Sequence, residues 1–314
     1  MAYAVGDREA AGHVAVTLSD RGADLQAAFV PALGMIGCSL RHRGDELLGQ
    51  RGGLAKYAAS GSTMGIPLLH PWANRLAGYA YRVGGHEVAI AAANPRLHRD
   101  GNGLPMHGLL AACPHWRVSE RHADDGGARL VATLDFAADP VLLAAFPFPH
   151  TLTLAITLHD AALRIATTLR ATGDVAVPVA FGFHPYLTLP GVERRAWQLH
   201  APVRRRARLD ARGLPTGDSE PVRIADGPLG ERTFDDLFPE LDTPARFVLA
   251  GGGRRLTVTF DEGYPCAQIF APPGEAVVCF EPMTAPTNAL ASGIGLRTVA
   301  PGADFACGFA IAVA

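Results

Sequence analysis

Lysine is nearly missing: Lys56 is the only one, so 27 of the 28 basic residues are arginine. Schiff-base chemistry is thereby excluded unless Lys56 itself is the amine. Charge of either sign is sparse, at 18% of 314 residues, and the near balance of 28 basic against 30 acidic side chains leaves a formal net charge of −2. Nucleic acid needs a concentrated positive field. The one basic run, Arg204-Arg205-Arg206 with Arg208 behind it, reads instead as a solvated strand edge or loop. The five cysteines, Cys38, Cys113, Cys266, Cys279 and Cys307, are an odd and scattered set without a C-x-x-C, which suggests neither a disulfide framework nor a zinc cage. No charge-free apolar run approaches the ~20 residues that span a bilayer. The opening MAYAVGDREA lacks the basic and apolar regions of a secretory signal. A cytoplasmic protein with no nucleic-acid or membrane partner is expected.

Several nucleotide and hydrolase signatures are also missing. There is no G-x-x-x-x-G-K-[ST] phosphate loop, no G-x-S-x-G elbow, and no G-x-G-x-x-G that follows a strand and opens a helix. The twelve histidines show neither H-x-x-x-H nor H-x-H spacing, so no metal site is expected.

What is present is a period of two. Leu152, Leu154, Ile156 and Leu158 alternate with Thr or Ala, and Leu163, Ile165, Thr167 and Leu169 do so again after the turn His159-Asp160-Ala161-Ala162. That is a hairpin with one buried face. Similar stretches cover 13–18, 128–136, 175–183, 255–260 and 307–313, separated by turns such as Asp125-Gly126-Gly127 and Gly251-Gly252-Gly253. The best helical candidate is short, Pro140 to Ala145, and residues 210–232 read as a surface excursion. With 48% apolar residues and no linker, the chain is expected to form one all-β domain, a large antiparallel sandwich over residues 1–314.

Four clusters could carry chemistry. In Pro67-Leu68-Leu69-His70-Pro71-Trp72-Ala73-Asn74-Arg75-Leu76, Trp72 offers a stacking face, Asn74 an amide and Arg75 a guanidinium. Together these suit a polyhydroxylated ligand, or else the segment is a loop tip pinned to the sandwich. In Met106-His107-Gly108-Leu109, Gly108 permits a sharp turn beside His107, a structural or a functional histidine. Phe181-Gly182-Phe183-His184-Pro185-Tyr186 ends an apolar strand at His184 and so places it at a rim. Glu281 closes the apolar run Val277-Val278-Cys279-Phe280, and Pro282 opposes continuation in mid-sheet. A carboxylate there is either paired by arginine or held with a raised pKa as a base.

In order, these segments resemble the aldose 1-epimerase (galactose mutarotase) family. PLLHPWANRL is similar to its P-L-x-P-W-x-N-R-[IL] segment, MHGLL to its L-H-G segment, and FGFHPYLTLPG to its H-P-Y-[FL]-x-L-P-G segment. TFDDLFPEL is similar to its D-x-x-F-x-x-L segment, and EPMTAPTNA with the later turn to its C-terminal stretch. The resemblance implies a β-sandwich of the galactose mutarotase type that interconverts the α and β anomers of an aldose without metal or cofactor. It implies Glu281 as general base, His184 as general acid and His107 assisting at the ring oxygen. Arg75 and Asp235 would bind sugar hydroxyls, with Asn74, Trp72 and Tyr186 completing the binding set; Asp235 is preferred to Asp236 because it stands three residues before Phe238. The expected partner is a small-molecule aldose, the expected assembly a monomer or homodimer. A sugar-phosphate mutarotase, a non-catalytic sugar-binding protein and a metal-dependent sugar enzyme are the alternatives.

Overall fold

The structure is a computed structural model, and it describes residues 2–314. Its hairpin His150–His159 and Ala162–Ala171 shows how the sheets are made. Leu158 pairs with Leu163, Ile156 with Ile165 and Leu152 with Leu169, and all six side chains are at most 1% exposed. The two connecting residues, Asp160 and Ala161, have φ of 48° and 57°. Positive φ at both positions matches the right-handed strand twist and fixes the register.

This hairpin lies inside a nine-stranded antiparallel sheet. Its order is Arg117–Asp124, Gly127–Asp135, His150–His159, Ala162–Ala171, Asp304–Val313, Arg254–Phe260, Ala245–Gly251, Gln198–His200 and Gly227–Pro228. A second sheet has the order Phe234–Phe238, Cys266–Ala271, Val278–Met283, Gly182–Phe183 and Leu68–Leu69, with Tyr186–Leu187 also on Val278–Met283. Rings bridge the two layers: Phe280 stacks on Phe247 and Phe183 packs on Phe309, each with centroids 5.1 Å apart. A third sheet, from Tyr3–Ala10 to Asp45–Glu46, buries Leu18, Leu25 and Phe29 in the same hydrophobic cluster. The architecture is the expected antiparallel all-β sandwich.

Local expectations fare unevenly. The stretch 175–183 is not one strand. Val177–Val179 pairs with Arg297–Val299, whereas Gly182–Phe183 joins the six-stranded sheet, and the break falls where Ala180 O accepts from Ala73 N. Residues 210–232 are not a pure surface excursion either. Pro215–Pro221 pairs with Arg205–Leu209, and Gly227–Pro228 pairs with Gln198–His200. The arginine run is neutralised locally, Arg206 by Glu220 at 2.6 Å, Arg208 by the same carboxylate and Arg204 by Asp242. The expected helical turn spans Pro140–Leu143, capped by Asp139 on Val141 N. The helix Gly53–Ser60, which carries the exposed Lys56, has no side-chain cap and no apolar period in the sequence to announce it.

Below the first loop of the site lies a buried histidine pair. His150 Nδ1 is 2.6 Å from Phe148 O and so donates to it, which leaves Nε2 to accept from His70 Nε2 at 2.8 Å. Burial holds both imidazoles below their ordinary range, His150 at about 4. Between the ordinary histidine value of 6.5 and about 4 the unfolded chain takes up a proton that folded His150 refuses, so stability falls as pH falls through that window. Replacing His150 by Leu strands the His70 N–H and is expected to cost about 1–3 kcal/mol in urea unfolding at neutral pH. The double variant His70→Leu/His150→Leu is expected to lose part of the acid sensitivity. An unchanged pH slope in the double variant would refute the assignment.

Candidate active site

Strand alternation builds the site. In Val278–Met283, Phe280 faces the nine-stranded sheet, so its neighbour Glu281 faces the opposite side. The same alternation on Cys266–Ala271 sends Ile269 to the core and Gln268 and Phe270 outward. On Phe234–Phe238 it sends Asp235 outward, where its Oδ1 accepts from Gln268 Nε2 at 2.7 Å. Asp236 points the other way, toward Arg206 at 3.5 Å. These side chains floor a cavity of about 460 Å³.

Two expectations need correction here. Pro282 does not end its strand: Val278–Met283 continues through it, with Ala267 opposite. Thr284 N donates to Phe181 O, so alternation turns the Pro282 backbone toward the two-residue strand Gly182–Phe183, where the ladder is already ending. Nor does His184 sit at a rim. It is 5% exposed, because the chain re-enters the sheet at Tyr186–Leu187 and holds it at the cavity floor.

The walls come from two zipped loops. His107 N donates to Asn74 O at 2.8 Å, Leu76 N to Pro105 O at 2.9 Å and Leu109 N to His70 O at 2.7 Å. The zipper requires positive φ at Asn74 (55°), His107 (63°) and Gly108 (72°). A Cβ on Gly108 would lie 2.1 Å from His70 O, so only glycine lets the loops approach this closely.

The cavity gathers Glu281, His184, His107, Arg75, Asn74, Asp235 and Tyr186. It does not gather Trp72, which is 1% exposed, packed in the core and absent from the cavity lining. The parallel bridge of Trp72 to Ala180 draws its backbone into the sandwich, so the indole cannot stack on a ligand there. Lining residues not expected from the sequence include Arg51, Thr63, His98, Arg99, Phe270 and Gln268. Gln268, 2% exposed in an otherwise apolar strand, was detectable as a polar side chain in a buried run. Asp100 was hidden in a glycine-rich turn. It accepts from Asn102 N and Leu104 N and pairs with Arg75 Nε at 2.7 Å.

The electrostatics follow from burial. His184 Nε2 lies 3.2 Å from Glu281 Oε1, and the His107 ring stands edge-on to the His184 ring with centroids 5.5 Å apart. Burial, reinforced by Asp235 and opposed by Arg75, pushes the Glu281 carboxyl well above its usual range. Burial, with help from His107 and Arg51, pushes His184 well down. His107 falls to about 3, through burial and then Arg75 and His98. Burial alone would raise Asp100, yet Arg75 and two backbone N–H groups hold it below the ordinary carboxylate range. Among the described residues, no group of three or more His, Cys, Asp or Glu is placed to hold a metal ion. No helix there is long and apolar enough to cross a membrane.

The geometry can be set beside known proteins. The family model for aldose 1-epimerase matches residues 12–310. The uncharacterized protein YihR of Escherichia coli (strain K12) is 25% identical over 254 residues, covering 76% of this chain and 77% of that one. Among solved structures, a galactose mutarotase-like protein from Clostridium acetobutylicum superposes with a TM-score of 0.85 at 16% identity, over 99% of this chain and 98% of its own. A galactose 1-epimerase from Lactobacillus acidophilus NCFM does so with a TM-score of 0.76 at 16% identity, over 99% and 98%. The structural likenesses show the fold.

A raised carboxyl pKa has a stability signature. Folded Glu281 keeps its proton above the ordinary glutamate value of 4.5, where the unfolded chain releases it, so wild-type stability declines as pH rises through that window. Glu281→Gln cannot ionise. Its melting temperature is expected to gain on wild type from pH 4 to pH 8, and a gap that closes with rising pH would show a stabilised carboxylate instead.

Proposed function

The chain belongs to the aldose 1-epimerase family, and we propose that it interconverts the α and β anomers of a free aldose by general acid and base catalysis. The observation that carries this reading is the contact of Glu281 Oε1 with His184 Nε2, 3.2 Å apart on the floor of a polar cavity. In ring opening, Glu281 accepts the proton of the anomeric hydroxyl while His184 delivers one to the ring oxygen. The C1–O5 bond breaks and C1 becomes a carbonyl. After rotation about C1–C2 the two groups exchange roles and the ring recloses, so the protein returns to its starting protonation. Each positioned group is worth about 10²–10⁴-fold. His107 assists beside His184, while Arg75, Asn74, Asp235 and Gln268 surround the position for sugar hydroxyls.

A neutral sugar fits better than a phosphorylated one. The guanidiniums of the cavity are already engaged: Arg51 with Glu275 at 2.9 Å, Arg75 with Asp100 at 2.7 Å, and Arg99 with Tyr79 Oη at 2.7 Å. None is held free for a dianion.

The test is the loss of optical rotation of fresh α-D-glucose, α-D-galactose, L-arabinose and glucose 6-phosphate, with and without protein and with EDTA. Acceleration of a free aldose that survives EDTA is expected. Binding without acceleration would make the protein a sugar binder, and collapse with EDTA would make it metal-dependent. Glu281→Gln and His184→Asn should each lose at least about a hundredfold in kcat. Arg75→Ala should raise KM about tenfold, the value of a lost charge-assisted hydrogen bond. The kcat/KM profile should be bell-shaped. Burial raises Glu281 and lowers His184, so the active form, ionised Glu281 beside protonated His184, holds the same number of protons as the neutral pair, and the acid and alkaline limbs belong to the pair rather than to either residue.

A further inference from the structure

The run that carries Glu281 continues beyond the cavity. It is pinned at Thr284, whose N–H and Oγ1 both donate to Phe181 O at 2.9 Å, and then reaches Asn288 at the head of the short helix Ala289–Ser292. An asparagine in that place ordinarily turns its side-chain oxygen onto the first free N–H groups of the helix. Asn288 makes no such bond. Its Oδ1 accepts instead from Ala77 N at 2.8 Å, while its own N–H donates to Arg75 O at 3.0 Å. The side-chain amide must present its oxygen there, because its NH2 would face another donor.

These two bonds close the free edge of residues 75–77. The opposite edge is already zipped, with Leu76 N on Pro105 O and a bridge between Arg75 and Met106. The Arg75 backbone is therefore held from both sides. Its guanidinium is held as well: Nε donates to Asp100 at 2.7 Å and Nη1 to Asn74 Oδ1 at 3.1 Å. A Cβ on Gly213 would lie 3.0 Å from Nη1 and 3.3 Å from Cζ, so a turn from a third segment closes on the same group. Nη2 keeps no partner among the described residues, on a side chain that lines the cavity. Asn288 has φ of 67°, a conformation that glycine, asparagine and aspartate take most readily. Of these three, only asparagine and aspartate bring an acceptor.

We propose that Asn288 is a positioning residue: by clamping the backbone on either side of Leu76, it fixes Arg75 relative to Glu281, which lies seven residues earlier on the same run. The group that binds the sugar and the group that takes its proton are then registered to each other by one segment. The catalytic consequence rests on the mutarotase reading; the clamp itself does not. Because Arg75 meets hydroxyls that do not react, loosening it weakens ground state and transition state alike, which raises KM and spares kcat.

The test is a double-mutant cycle with Arg75→Ala, read by polarimetry, together with ¹⁵N NMR of the Arg75 Nε–H, assigned by its loss in Arg75→Ala. Asn288→Gly keeps the left-handed backbone but removes the acceptor. Its KM should rise about fivefold, the value of one hydrogen bond, with kcat within about twofold. Asn288→Asp keeps acceptor and conformation, and should restore KM. In the Arg75→Ala background Asn288→Gly should add almost nothing, since it acts through the missing side chain. Without any sugar, the Arg75 Nε–H should exchange slowly with water in wild type and in Asn288→Asp, and at least about threefold faster in Asn288→Gly. Additive effects on KM, a fall in kcat in place of a rise in KM, or an Arg75 Nε–H that already exchanges freely in wild type would overturn the proposal. If wild type accelerates no aldose, the mutarotase reading fails while the exchange comparison still decides the clamp.

Discussion

The contact of Phe280 with Phe247, rings stacked 5.1 Å apart, is the constraint from which the site descends. It locks one face of the strand Val278–Met283 against the nine-stranded sheet. A period of two then leaves Glu281 no direction but the opposite one, away from the core and into the cavity. Phe183 against Phe309 does the same for His184. A slip of one residue in either strand would bury the acid and expose the ring, so packing that looks purely structural also sets the catalytic register.

The loops answer a different constraint. Strands alone place Glu281, Gln268, Asp235 and His184, but they offer no guanidinium and no second histidine. Those arrive on the segments 70–76 and 105–109, which hold each other by backbone bonds rather than by any sheet edge. Three demands for positive φ, at Asn74 on one loop and at His107 and Gly108 on the other, are met because the surrounding hydrogen bonds over-determine the backbone. The same zipper brings Arg75 within reach of Asp100, whose carboxylate is itself fixed by two N–H groups. Arg75 is thereby aimed without a rigid element beneath it.

How much of this was legible follows from the physics of each part. The hairpin around Asp160-Ala161 was legible because alternation is local and burial is one-sided. The stretch 175–183 was misread because an apolar run does not reveal which sheet it joins, and Ala180 marks a change of sheet that only tertiary pairing reveals. Glu281, His184 and His107 stood out as polar residues beside apolar runs or glycine. Gln268, Arg51 and Thr63 did not, since their meaning lies in partners far along the chain: Asp235, Glu275 and Tyr186. Trp72 misled for the converse reason. Its neighbours Asn74 and Arg75 do reach the cavity, but the backbone bridge at Ala180 draws the indole inward.

Burial ties these parts together. Desolvation pushes Glu281 and His184 in opposite directions, each toward its neutral form, while their mutual contact favours the charged pair. The neutral and the charged pair differ by one proton moved across a 3.2 Å gap, and burial favours the neutral one. That coupling suits a reaction in which each group must act as acid in one half and base in the other. A fully exposed pair would ionise separately, and a fully sealed one would lock the proton on oxygen. The aromatic layer beneath keeps water from the pair, while the polar walls above leave its cavity side open to a ligand.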